Sequence, residues 1–204
     1  MNEFNWGEFT RNEKVCIENM NVENCQIIGI HCEWIEIKNC QFHNVIFRNV
    51  YEDNCVNIED CEFTNCTFQD TFDGNSVLMT YFRNRFKDCQ FENVVYNGYT
   101  EQSEIVDYNK FLNCHFRNVE IKGDVTLMDM EIDGGSIEHL TYEANIIAGC
   151  RFSNVLTKNI LIRAYLTENI MENVTFEDVV IQGKEDNNEL INCINEFKLI
   201  YEFC

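Results

Sequence analysis

Proline is absent from all 204 residues, although average usage is about 5%. That absence excludes Pro-rich linkers and suits a continuous winding in which most backbone N–H groups are needed as donors. Basic residues are scarce, 15 Lys+Arg against 35 Asp+Glu, for a formal net charge of −20. Such a field repels nucleic acid and anionic lipid and speeds encounter with basic protein surfaces, while its simplest use is solubility. No apolar run is long enough to span a bilayer. The opening stretch MNEFNWGEFTRNEK has neither a basic n-region nor an apolar core, so no signal peptide is expected. A Gly-rich phosphate loop, a nucleophile elbow and any Cys-x-x-Cys spacing are also missing, which leaves no catalytic residue, cofactor or metal motif to name.

What is present is a folded composition, 45% hydrophobic, and a strong internal repeat. The stretch KNCQFHNVIFRNV contains Cys40-x-Phe42-x-Asn44 followed by Val45-x-Phe47-x-Asn49. Five is neither a helix nor a strand period. Over 15–49 the register is unbroken: small apolar residues at Val15, Met20, Cys25, Ile30, Ile35, Cys40 and Val45, and centres two later at Ile17, Val22, Ile27, Cys32, Ile37, Phe42 and Phe47. Asn19, Asn24, Asn39, Asn44 and Asn49 follow two after a centre. After slips at 50–55, 71–86, 97–108 and near 170, the unit returns at Cys61/Phe63, Cys66/Phe68, Cys89/Phe91, Cys114/Phe116, Cys150/Phe152 and Val179/Ile181. Residues two apart share one face of an extended segment. Asn, Asp and Gly tolerate turn conformations. Each unit is thus a very short strand and a corner, and only stacking of coil on coil buries the inward residues.

These Cys/Val-x-Phe/Ile-x-Asn units resemble the pentapeptide-repeat family over 15–183. The resemblance implies an all-β fold, a right-handed four-sided parallel β-helix. Residues 1–14 read as an N-terminal cap, with Phe4, Trp6 and Phe9 plugging the first coil. Phe and Ile replace the family's Leu at many centres, and Cys or Val its Ala. A three-sided parallel β-helix is the structural competitor. Beyond Gly183, in 184–204, Leu190, Ile194, Phe197 and Tyr201 recur at amphipathic spacing and predict a short C-terminal α-helix. It would cap the tube's open edge, or serve as a homodimer contact of the kind the resemblance implies; the two readings stand side by side.

The 12 cysteines are mostly accounted for as small buried hydrophobes: Cys25, Cys40, Cys61, Cys66, Cys89, Cys114 and Cys150 in small slots and Cys32 at a centre. His31, His43, His115 and His139 fall outside the inward slots and read as surface residues. Reduced thiols and a cytoplasmic location are expected. Acidic pairs such as Glu59–Asp60 read as solvated faces rather than catalysts, and Asp133–Gly134–Gly135 as a corner.

Binding is therefore the expected function. Roughly eight coils at about 4.8 Å make a rod of about 40 Å. Duplex DNA carries about one charge per 1.7 Å, so roughly two dozen over that length, comparable with −20. Some proteins of the resembled family bind DNA gyrase or topoisomerase IV as DNA mimics, inhibiting it or protecting it from drugs and toxins. The expectation is a non-enzymatic acidic rod on such a type II topoisomerase, with no direct nucleic-acid or membrane binding. The expected contact surface is Glu52, Asp53, Glu59, Asp60, Glu62, Asp70 and Asp73, with Glu101, Glu104 and Asp107 from the register-breaking loop 99–108. The alternatives are an interaction scaffold or effector that binds one partner without mimicry, and a carbohydrate-binding or carbohydrate-cleaving β-helix, which the inward placement of many Phe disfavours.

Overall fold

The computed structural model describes residues 2–5, 14–28, 34–48, 51–52, 55–69, 72–73, 83–97, 104–123, 125–195 and 197–200. They form a parallel β-solenoid, with no helix among them. Each short strand pairs in parallel with its counterpart in the coils before and after. Gln41–His43, for example, lies between Asn21–Glu23 and Glu62–Thr64, aligning Val22, Phe42 and Phe63. That column continues through Phe86, Phe111, Ile132, Phe152, Met171 and Leu190.

The period of five now has its physical cause. Cys40, Phe42, Val45 and Phe47 are buried, and His43 between them is exposed. Asn44 takes φ 53°, and Asn19, Asn24, Asn39, Asn65, Asn93, Asn118 and Asn154 adopt the same left-handed conformation. Asparagine tolerates it at lower cost than most side chains. Its amide also works at the corner: Asn44 Nδ2 donates to Asn24 Oδ1 at 2.9 Å, and Asn65 Nδ2 to Asn44 Oδ1 at 2.5 Å. The corner amides thus make ladders along the outside of the tube.

The core is a set of stacked columns. Phe42, Phe63, Phe86 and Phe111 stack with centroids 4.7–4.9 Å apart. A second column, Phe47, Phe68, Phe91 and Phe116, repeats this at 4.7–4.8 Å. The columns meet edge-to-face at 5.3–6.0 Å. Ring spacing equals the distance between hydrogen-bonded strands, so the backbone ladder dictates the aromatic one. Cysteine fills the small slots because its thiol reaches a carbonyl two residues back. Cys40 donates to Lys38 O at 3.3 Å, Cys66 to Thr64 O at 3.4 Å and Cys89 to Lys87 O at 3.3 Å.

Three expectations are corrected. First, 184–200 forms no helix among the described residues. Glu189–Ile191 pairs with Ile170–Glu172, Lys198–Ile200 with Val180–Gln182, and Ile194 bridges Thr175. The i, i+4, i+7 spacing of Leu190, Ile194 and Phe197 coincides with a tightened continuation of the repeat, in which Leu190 stacks on Met171 and Leu199 on Ile181. A preceding coil offers each residue a partner, whereas a short helix must nucleate itself. Tyr201 lies outside the described residues. Second, the register resumes before Cys89. Asn84 and Phe86 form a full unit, as do Asn109 and Phe111, with Asn occupying the buried small slot. Third, the second half of loop 99–108 is strand: Glu104–Asp107 pairs with Val125–Met128. At the N-terminal end Asn2–Asn5 forms a rung beneath Cys25–Ile28; Trp6 and Phe9 lie outside the described residues. Met20, expected inside, is 47% exposed near this end.

Candidate protein-interaction surface

Coil length decides which outward residues line up. Stacked corner residues are 20 apart at Asn24/Asn44, 25 apart at Asp88/Asn113 and 19 apart at Asn154/Asn173. One corner can be followed along the tube by backbone hydrogen bonds. Asn19 N donates to Lys38 O, Asn39 N to Glu59 O, Arg83 N to Asp107 O, Asp129 N to Ala148 O and Glu168 N to Asp186 O. Carboxylates collect along this edge: Glu18, Glu59, Asp60, Asp107, Asp129, Glu168 and Asp186. Lys38 and Arg83 interrupt it with opposite charge, and Tyr108, Met128, Ala148, Gly149 and Thr167 with uncharged positions. Arg83 binds the Asp60 carboxylate at 2.8 Å and also pairs with Glu59, while Lys38 lies 2.7 Å from Glu36 and 3.7 Å from Glu59. The Arg83 hydrogen bonds hold the Asp60 carboxyl below its ordinary value. Such exposed pairs add little net stability, but they lower the local negative field.

The expected contact residues divide among several faces. Glu59, Asp60 and Asp107 share the edge just described. Glu52 and Asp73 are register partners in another column, beside Tyr51 and Phe72. Glu62 is exposed on a third face, next to Gln41 and Arg85 in register. Glu104 aligns with Val125. Asp53, Asp70 and Glu101 lie outside the described residues. Asp129, Glu168 and Asp186 were not singled out from the sequence, since their alignment depends on coil lengths that the slips conceal. The face bearing Glu62 also carries Arg85, Lys87 and Lys110 in adjoining register positions, a small basic cluster bounded by Glu62 and by Glu131, which pairs with Lys110 at 2.8 Å.

Asp107 is the unusual carboxylate. Its Oδ1 is enclosed without a hydrogen-bond partner. Burial first, and then the Asp129 charge, push its proton affinity up, against a hydrogen bond from the Tyr108 N–H. In the last described coil, Leu190 and Ile194 are 48% and 61% exposed. Phe197 is half-buried, edge-on to Phe176 at 5.5 Å.

Cys25, Cys40, Cys61, Cys66, Cys89, Cys114 and Cys150 are buried free thiols, Cys193 is half-buried and Cys16 exposed. Burial pushes the Cys61 and Cys150 thiols up to about 12, which leaves them protonated and unreactive at neutral pH. His43, His115 and His139 are exposed, and His115 Nδ1 lies 3.0 Å from Ser136 Oγ. Among the described residues no three His, Cys, Asp or Glu side chains converge as a metal cage.

No protein-family model and no curated protein matches the chain. Among solved structures, one of QnrB1, a plasmid-mediated fluoroquinolone resistance protein, aligns with a TM-score of 0.54 at 15% identity, covering 82% of this chain and 83% of that one. A second QnrB1 structure aligns at 12% identity with a TM-score of 0.35, over 94% of this chain and 92% of that one. HetL, a pentapeptide repeat protein involved in heterocyst differentiation regulation from the cyanobacterium Nostoc, aligns at 7% identity with a TM-score of 0.29, over 91% of this chain and 89% of that one. The likeness to the first QnrB1 structure is one of fold: this chain is a parallel β-solenoid, consistent with its pentapeptide-repeat pattern.

Proposed function

We propose that this chain is a non-enzymatic interaction protein of the cytoplasm, a right-handed four-sided solenoid whose acidic edge occupies the DNA-binding face of a basic partner. The partner class that fits is a type II topoisomerase, DNA gyrase or topoisomerase IV. The observation that carries this reading is the carboxylate edge running from Glu18 to Asp186, which concentrates part of the −20 net charge along the rod. Left-handed corners at Tyr108, Asn113, Asn118 and Gly123 within one coil support four sides. The fold likeness to a fluoroquinolone resistance protein guides the first assay. Purified chain is added to gyrase supercoiling reactions with and without a fluoroquinolone; inhibition or drug protection is expected, and neither at any concentration refutes the reading. Asp129→Lys combined with Glu168→Lys should weaken partner binding by about tenfold or more, and more so at low salt.

The second reading, a scaffold binding without mimicry, draws support from Lys38 and Arg83 on the edge and from the Arg85, Lys87 and Lys110 patch. Partner capture that survives both high salt and charge reversal selects it. The exposed Leu190 and Ile194 of the last described coil fit an end-to-end contact with a second copy. Light scattering should give a dimer that Ile194→Asp dissociates.

A further inference from the structure

The interior is not uniformly filled. Both phenylalanine columns end at Phe111 and Phe116. Above them one column proceeds through Ile137 and Thr157 to Phe176, and the other through Ile132 and Phe152 to Met171. Thr157 is the smallest occupant of its column, and its Oγ1 turns to the Thr175 carbonyl at 2.9 Å, so only its methyl is left to face the interior. The missing ring volume leaves an apolar cavity of about 100 Å³, whose walls come from four successive coils between Phe116 and Ile181.

We propose that this cavity is a binding site for a small, unfunctionalised apolar molecule, of the class of xenon or a short unbranched alkane. Its lining contributes no polar surface, so a water inside would lack the two to four partners it needs, and the space stays dry. Apolar cavities of about 150 Å³ bind xenon or benzene. This one is smaller and extends across coils about 4.8 Å apart, which favours a narrow linear occupant over a ring. The same absence of polar atoms excludes a carboxylate, amine or hydroxyl head group. Entry needs no standing channel, since end coils of a solenoid open locally. The site is independent of the outer faces and of the partner proposed above.

The test uses the full chain with xenon under pressure and with n-pentane. Methyl NMR should show saturable shifts at Ile132, Ile137 and Met171, and none at the outward Leu112 and Leu156. Pentane should raise Tm by roughly 3–6 °C at ten times its Kd. Ile137→Phe extends the ring column into the space and should abolish both effects. Should that variant fail to fold, Thr157→Ile is the alternative filler. Absence of saturable shifts in the native chain overturns the site, as does their persistence in a folded filled variant. Xenon binding without a pentane-induced rise in Tm overturns the hydrocarbon assignment.

Discussion

Phe86→Ala tests whether the ring columns hold the solenoid together. Phe86 is 2% exposed. It stacks on Phe63 and Phe111 at 4.7 Å each and meets Phe68 and Phe91 edge-to-face at 6.0 and 5.6 Å. Truncating a buried Phe to Ala costs about 3–5 kcal/mol, and the loss is greatest where the surroundings cannot collapse into the space. Here they cannot, because ring spacing is fixed by backbone hydrogen bonds from coil to coil. The expected loss is therefore about 4–5 kcal/mol, with ring–ring geometry contributing part of it. A net stability of about 5–15 kcal/mol would be cut by roughly a quarter or more, and Tm should fall by roughly 8–20 °C for a chain of this size. Phe152 supplies the comparison. It is half-buried and stacks on Ile132 and Met171 rather than on rings, so Phe152→Ala should cost about 2 kcal/mol less. The measurement is urea unfolding by far-UV circular dichroism, with the m-value compared between variants. Equal losses for the two variants, or a loss below about 1 kcal/mol for Phe86→Ala, would refute the argument. A second, resolved transition would mean that the weakened coil has uncoupled the two ends, as nearest-neighbour energetics allow.

Gly135→Ala should be far more damaging than Gly134→Ala. A Cβ on Gly135 falls 1.9 Å from the Cys114 carbonyl oxygen, whereas on Gly134 its nearest neighbour is at 3.6 Å, leaving only the left-handed backbone penalty of about 1–2 kcal/mol; similar Tm values for the two would contradict this. Asn84 Oδ1 accepts from the Cys61 N–H at 3.0 Å and its Nδ2 donates to Ile58 O at 2.8 Å. Asn84→Ala should therefore cost about 2–4 kcal/mol in chemical denaturation. Asn84→Cys should cost less, because the Cys61 sulfur already accepts from the Cys40 N–H in the coil before. Asp107→Asn should raise stability at neutral pH. A carboxyl whose folded-state affinity for protons is raised weakens the fold above that pKa, and the penalty disappears as pH falls to the ordinary Asp range. The gain should thus vanish in acid, and a gain that persists there would assign the effect to something other than charge.

The inward half of this molecule was legible because the repeat repeats itself. Cys40, Phe42 and Asn44 each recur in kind, so sequence position, burial and corner conformation agree from coil to coil. Legibility failed where a polar residue took an apolar slot. Asn84, Asn109 and Asn169 are 1%, 2% and 0% exposed, yet a pattern built on small apolar residues treats them as breaks. Their burial follows from hydrogen bonding: Asn169 Oδ1 accepts from the Cys150 N–H and its Nδ2 donates to Ile147 O, so the amide joins one coil to the coil before it. An Asn-x-Phe signal at 84–86 and 109–111 was available to a reading that allowed Asn inside. The C-terminal misreading has a different origin. Leu190, Ile194 and Phe197 fit two periods equally well, and only a preceding coil, absent from any local window, decides between them.

The outward half follows another rule, and function depends on it. An outward side chain is unconstrained by the interior, so its neighbours are set by the number of residues in each coil. The lengthened coils that bring Arg83 onto Asp60 and Asp107 onto the same edge are the ones the repeat marks as slips. The inward register of Phe111 over Phe86 holds these alignments, so the edge is tested by substitution. Asp129→Asn with Glu168→Asn removes two edge carboxylates at left-handed corners, which Asn tolerates. The variant should retain its circular dichroism spectrum and lose partner binding under the edge reading. A scaffold contact on the face of Arg85, Lys87 and Lys110, which occupy other register columns, would keep its binding.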